Sequence, residues 1–154
     1  MSIYDYDNDF LHYEVDEQKQ KDLGQVWTPY SVIEQMMNKI DDSIWNDETK
    51  TNLDPTMGAG NIIIAMLYRR IVEHKQNPIN ALKNVYGVEL EPATLEYAKK
   101  RIKAFMKHFT NEDVSKIINH NFVCSDIFKW DIEKWKPKKT EREANLEGFS
   151  EFFA

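Results

Sequence analysis

The sequence predicts an α/β fold, a parallel sheet flanked by helices, and three observations carry that prediction. A glycine turn, Asp54-Pro55-Thr56-Met57-Gly58-Ala59-Gly60, joins a short strand-like run at residues 51–54 to the apolar run 62–67. Two more strand-like runs, at residues 85–90 and 121–128, follow at spacings that leave room for helices between them. Each of the three runs carries a carboxylate at its C-terminal end, namely Asp54, Glu89 and Asp126. In a βαβαβ arrangement these ends line one edge of the sheet, where open α/β sheets bind ligands. One acid at a strand end is commonplace, but three beside a glycine turn point to a site.

The elements follow in order. Residues 1–23 read as an acidic arm with Tyr4, Tyr6 and Phe10 scattered through it, expected to dock loosely, with a short helix over 14–23 ended by Gly24. Gly24-Gln25-Val26-Trp27-Thr28-Pro29-Tyr30 leads into the first clear helix. Ser31 and Glu34 have capping-box spacing, and Thr28 with Pro29 just inside is a competing start. Val32, Ile33, Met36, Met37 and Ile40 recur at helical spacing and predict its buried stripe. Residues 41–50 form a polar connection with Trp45 packing inward.

After the first strand, Gly58 and Gly60 permit the positive φ and close backbone approach of a tight turn. The helix that opens there, over 62–71, is apolar on most sides, as expected of one clamped between a sheet and another layer. Its unpaired N–H groups would face whatever lies over the turn. Residues 73–84 read as a polar crossover. Glu91-Pro92 starts the next helix, with Leu95, Ala98, Ile102, Phe105, Met106 and Phe109 on its apolar side. Lys99, Lys100, Arg101, Lys103 and Lys107 are expected on its solvated side. A short helix at 111–119 precedes the third strand. Beyond Trp130 the strand signals end. Trp130 and Trp135 flank a turn, and residues 134–142 hold five cations against one acid. Residues 137–154 are expected to be a polar tail with those cations solvated.

Composition limits the function. With 154 residues, 42% hydrophobic and 30% charged, the chain has the makings of one globular domain. A net charge of −6 excludes a surface that is basic throughout, so any contact with nucleic acid must be local or lie on a partner. Cys124 is the only cysteine, which rules out an intrachain disulfide and a cysteine-based metal cluster. No metal is expected, and nothing apolar approaches a membrane span. A reducing, cytoplasmic setting fits. The glycine turn lacks both the three-glycine dinucleotide fingerprint and the Gly-Lys-Ser/Thr of a phosphate loop. Asp54 at its base would repel a phosphate and suit an amino group or a hydroxyl. Glu89 stands 29 positions after Gly60, further than the usual spacing of about 20 to a ribose-binding acid, as a longer crossover would produce.

The order of these pieces resembles the AdoMet-binding half of class I methyltransferases, most closely the DNA adenine amino-methyltransferases of restriction–modification systems and phages. Asp54-Pro55-Thr56-Met57-Gly58-Ala59-Gly60 is similar to that family's Asp-Pro-x-x-Gly-x-Gly turn. Gly24-Gln25-Val26-Trp27-Thr28-Pro29 is similar to the segment before it, Tyr86-Gly87-Val88-Glu89 to its second-strand motif, and Cys124-Ser125-Asp126-Ile127 to its third. The resemblance implies a Rossmann-like methyltransferase fold over residues 24–136, apparently truncated after the third strand. It implies S-adenosyl-L-methionine as cofactor, held by Thr28, Pro29, Asp54, Pro55, Gly58, Gly60, Glu89, Leu90, Asp126 and Ile127. Thr28 and Pro29 would lie by the methionine part and Glu89 on the ribose hydroxyls. Asp126 would accept from the adenine amine, and Ile127 would pack on the ring. The family's catalytic Asn/Asp/Ser-Pro-Pro-aromatic motif is missing, since no proline here is followed by another.

Catalytic residues are therefore unassigned. The expected partners are DNA, reached through another chain or domain, and a protein or second copy covering the first strand's edge. Three functions stay open: a split DNA adenine methyltransferase, a non-catalytic AdoMet-binding module, and a small methyltransferase for another substrate.

Overall fold

The computed structural model describes residues 2–7 and 28–153. The helix expected over 14–23 and the Gly24 to Trp27 part of the first motif lie outside the described residues. Three parallel strands, β1 (Asn52–Asp54), β2 (Val85–Glu89) and β3 (Phe122–Cys124), form the central sheet in the order β1-β2-β3. Asp54 pairs with Gly87, and Glu89 with Cys124. Helices flank this sheet, giving the Rossmann-like α/β architecture that the sequence predicts.

In chain order, α1 (Tyr30–Asn38) and α2 (Asp42–Asn46) precede β1. Helix α3 (Asn61–Tyr68) follows it and runs on as a π-helical turn, Arg69–Glu73. Helix α4 (Pro78–Lys83) leads into β2, α5 (Pro92–Met106) leaves it, and α6 (Ser115–Asn121) feeds β3. Every residue of α3 from Ile63 to Tyr68 is buried, because α3 touches α1, α5, β1 and β2 at once.

Several expectations are corrected. Helix α1 starts at Pro29, whose carbonyl accepts from the N–H groups of Val32 and Ile33, so no Ser31–Glu34 capping box forms. Its buried stripe is Tyr30, Ile33 and Met37, while Val32, Met36 and Ile40 are exposed. The helix carries two adjacent apolar stripes, and α3 covers one. The polar crossover contains α4, capped by Asn77 and anchored by Ala81 and Leu82. Three apolar residues in a helix of six are too short a run for a periodic signal to reveal it. Strand β3 stops at Cys124 because the Asp126 carboxylate bonds the Phe128 N–H (2.9 Å) and curls the chain into a 3₁₀ turn, Ile127–Lys129.

The arm is docked where it is described. Ile3 is buried, Tyr4 meets Tyr30 edge-on, and Tyr6 packs among Tyr68, Phe105, His108 and Phe109. The C-terminal part is not a featureless tail. Strands β4 (Trp130–Asp131) and β5 (Lys136–Pro137) make an antiparallel hairpin, followed by α7 (Glu141–Phe153). Trp135, at a positive φ of 51°, stacks edge-on against Tyr86 and donates to the His120 carbonyl (2.6 Å), which fastens the hairpin to the sheet. The side chains from Lys136 to Phe149 are exposed, including Leu146 and Phe149. The outer edge of β1 has no strand partner among the described residues.

Candidate functional site

The carboxyl ends of the three strands and the turn leading into α3 form one surface. The turn is shaped by Gly58 and Gly60, with φ of 53° and 95°. Gly60 is the N-terminal cap of α3, so the first N–H groups of that helix open toward the strand ends. Just before the glycines the chain is held down by Met57, which is 3% exposed and whose N–H donates to the Val88 carbonyl (2.9 Å). That seat exists because residue 87 is glycine. A Cβ there would come within 2.5 Å of the Met57 Sδ and 3.2 Å of Phe122. Gly87→Ala is therefore expected to push Met57 and the turn out of place. The cost is about 1–3 kcal/mol, the usual penalty for overpacking, and chemical denaturation measures it.

Asp54 closes β1 and is 6% exposed. Burial raises its pKa above the ordinary carboxylate value. The nearby Glu89 adds to the rise, and the hydrogen bond from the Thr56 N–H to Oδ1 (3.1 Å) opposes it. Glu89 closes β2, and its Oε1 accepts from the N–H groups of Leu90 and Glu91. Asp126 follows β3, tied to β2 by the bond from the Ser125 N–H to the Glu89 carbonyl (3.0 Å). In all three, one carboxylate oxygen braces the local backbone. The other has no hydrogen-bond partner among the described residues. A row of such acceptors suits a ligand rich in donors and positive charge.

The structure draws the remaining predicted residues to this edge. The Asn61 side chain, at the first position of α3, donates to the Thr28 carbonyl (3.1 Å), placing Thr28 beside the glycine turn. Pro29 and Pro55 are exposed, Gly58 and Ile127 half-buried, and Leu90 is 62% exposed. Phe128, which sequence reasoning passed over, is 82% exposed at the same edge.

A larger correction concerns Arg101. Expected on the solvated side of α5, it is 5% exposed and runs beneath the turn. Its guanidinium donates to the Ala59 carbonyl (3.2 Å) and to the Asn61 side chain, and pairs with Asp7 through Nε (2.7 Å) and Nη2 (2.6 Å). The available signal was position. Arg101 falls between Ala98 and Ile102, at the border of the apolar stripe.

No group of three or more metal-ligating side chains and no membrane-spanning helix occurs among the described residues. A model of the N-6 DNA methylase family matches residues 3–139. No curated protein and no solved structure matches the chain.

Proposed function

This chain belongs to the N-6 DNA methylase family, and from that premise we propose that it is the AdoMet-binding half of a DNA adenine methyltransferase. At the level of the family it is a DNA N6-methyltransferase-like protein. The observation carrying the finer reading is the row of Asp54, Glu89 and Asp126, each with a carboxylate oxygen unengaged among the described residues, beside a glycine turn that opens a helix. AdoMet offers an ammonium, a ribose diol and an exocyclic amine, three donor groups for three acceptors. In this reading Asp54, with Thr28, Pro29, Pro55 and the Gly58–Gly60 turn, holds the methionine end. Glu89 takes the ribose, and Asp126 takes the adenine amine with Leu90 and Ile127 along the ring.

The bound cofactor would supply an electrophilic methyl group on a positive sulfonium. The residues of this chain bind and orient it. Holding a target adenine needs acceptors beside its amine and a stacking ring, and the Pro-Pro motif that performs this in the resembled enzymes is missing from this sequence. We place that function on further strands, of another chain or a longer one, added at the outer edge of β1, which has no strand partner among the described residues. An unpaired parallel strand calls for such cover. DNA would be reached through that partner, in the cytoplasm, in a restriction–modification or phage setting. The missing motif equally favours a second reading, a regulatory module that binds AdoMet and transfers nothing. Methylation assays on DNA, protein and small-molecule acceptors separate it from a small methyltransferase acting alone.

Calorimetric titration with AdoMet tests the cofactor reading. Binding in the micromolar range, on the order of −8 kcal/mol, is expected. Asp126→Ala should weaken it by about 1–3 kcal/mol through loss of a hydrogen bond to the adenine. Equal affinity in that variant removes Asp126 from the pocket, and no binding by the folded wild type removes the cofactor.

A further inference from the structure

The sequence places Asp7 and Arg101 far apart, in an arm and on a helix with no evident link to the site. The fold connects them to it. Arg101 is 5% exposed and Asp7 is 7% exposed, so this is a buried ion pair rather than a surface contact. Nε donates to Oδ2 of Asp7, and Nη2 lies 2.6 Å from the same oxygen as an ion-pair contact. The remaining amino group, Nη1, reaches the glycine turn itself, at the Ala59 carbonyl and the Asn61 side chain. Asn61 in turn holds the Thr28 carbonyl. A chain of polar contacts thus runs from the arm, through Arg101, to both segments that frame the methionine side of the proposed pocket.

A guanidinium is suited to this bridging because its donors leave in fixed, divergent directions, so one group can satisfy the arm and the turn at once. Its orientation depends on Asp7. Without that carboxylate, a cation buried beneath the turn loses a charge partner and part of what fixes its direction. The turn would then lose the group that holds the Ala59 carbonyl and aims Asn61. Ring contacts at Tyr4 and Tyr6 dock the same six residues.

We infer that Arg101 and Asp7 are positioning residues that couple docking of the N-terminal arm to the ligand-ready shape of the glycine turn. The inference rests on the cofactor reading for its consequence, affinity for AdoMet, but its first half concerns the protein alone. Coupling of this kind is reciprocal. Whatever factor the arm contributes to AdoMet affinity, AdoMet returns to docking of the arm.

The test has a ligand-free readout and a ligand-bound one. Hydrogen exchange of the Gly60 and Ile64 amides, both bonded within or onto the turn, should speed up in Asp7→Asn while exchange in β2 stays unchanged. Arg101→Lys keeps the charge opposite Asp7 but loses the fork, and should show the same turn-specific change. With AdoMet, each variant is expected to bind on the order of tenfold more weakly, a usual size for coupling between sites. The double variant should be no weaker than the worse single one. Addition of AdoMet to the wild type should slow exchange at residues 3–7. Folded variants with unchanged turn exchange overturn the inference whether or not AdoMet binds. So does wild-type affinity in both variants. Faster turn exchange in the variants, together with no AdoMet binding by the wild type, would uphold the coupling and sink the cofactor reading alone.

Discussion

Asp54→Asn is expected to raise the melting temperature of the ligand-free chain at pH 7 while weakening AdoMet binding by roughly ten- to a hundredfold. Both effects follow from one fact, a buried carboxylate with no cationic partner among the described residues. Burial, reinforced by Glu89, raises the folded-state pKa of Asp54 above the value it has in the unfolded chain. Between those two pKa values the folded state holds the extra proton, so stability falls as pH rises through the folded-state value and is flat above it. Above that value the full cost of the buried charge is present. Asparagine removes that charge, and its Oδ1 still accepts from the Thr56 N–H. A gain of order 1 kcal/mol would read as about 2–4 °C at this size.

The same charge is what an ammonium needs. A hydrogen bond to a charged group contributes about 1.5–3 kcal/mol, which is the affinity loss expected in the variant. The pH dependence has a definite sign. Only ionised Asp54 receives the ammonium, so wild-type affinity should rise with pH through the raised pKa and then level off, and the variant should lack that dependence. Calorimetry across acidic to neutral pH, beside thermal melts, measures both. A variant that melts lower and binds as tightly would place Asp54 among the structural residues.

The second large effect lies at the opposite end of β1. Arg70, in the π-helical turn, is fully buried, and burial lowers its pKa. Its guanidinium donates to the Asn52 side chain through Nε (2.9 Å) and Nη2 (2.7 Å), to the Lys50 carbonyl (2.6 Å) and to Gln76 (3.1 Å). The Trp45 ring stands 5.9 Å from its Cζ. Arg70 therefore ties the start of β1 to α2 and α3. Arg70→Ala leaves three acceptors without their donor, at about 1–3 kcal/mol each, offset in part by removal of a buried cation. A net loss of roughly 3 kcal/mol or more is expected by urea denaturation. Because these contacts lie at the amino end of β1, the fraction that stays folded should bind AdoMet with unchanged affinity. A fall in affinity at full folding would show that the two ends of β1 communicate.

These two residues also divide what can be read without coordinates. Asp54 was legible because its meaning is local. It ends a short apolar run and opens a turn whose two glycines mark where the backbone can take positive φ. Glu89 and Asp126 repeat its position on two more strands, and the parallel sheet follows from helical stripes between strand-like runs. Arg70 and Arg101 were not legible as buried groups. An arginine inside a helical segment reads as solvated until the partners that satisfy it arrive, and those partners come from elsewhere in the chain, Asp7 being 94 residues from Arg101.

Helix α1 shows the same division. Local periodicity reveals that the helix is apolar, but its two stripes are nearly equivalent in sequence. The choice of Tyr30, Ile33 and Met37 over Val32, Met36 and Ile40 was made by the position of α3. The sequence by itself determined the order of the three parallel strands, the long helices after the first two, the glycine turn and the carboxylates near the strand ends, all encoded within a few residues by backbone conformation and periodicity. Only the tertiary structure decided which helix face is covered, where a buried cation finds its acceptors and how Met57 fills the space left by Gly87. Each of those depends on the packing of segments distant along the chain.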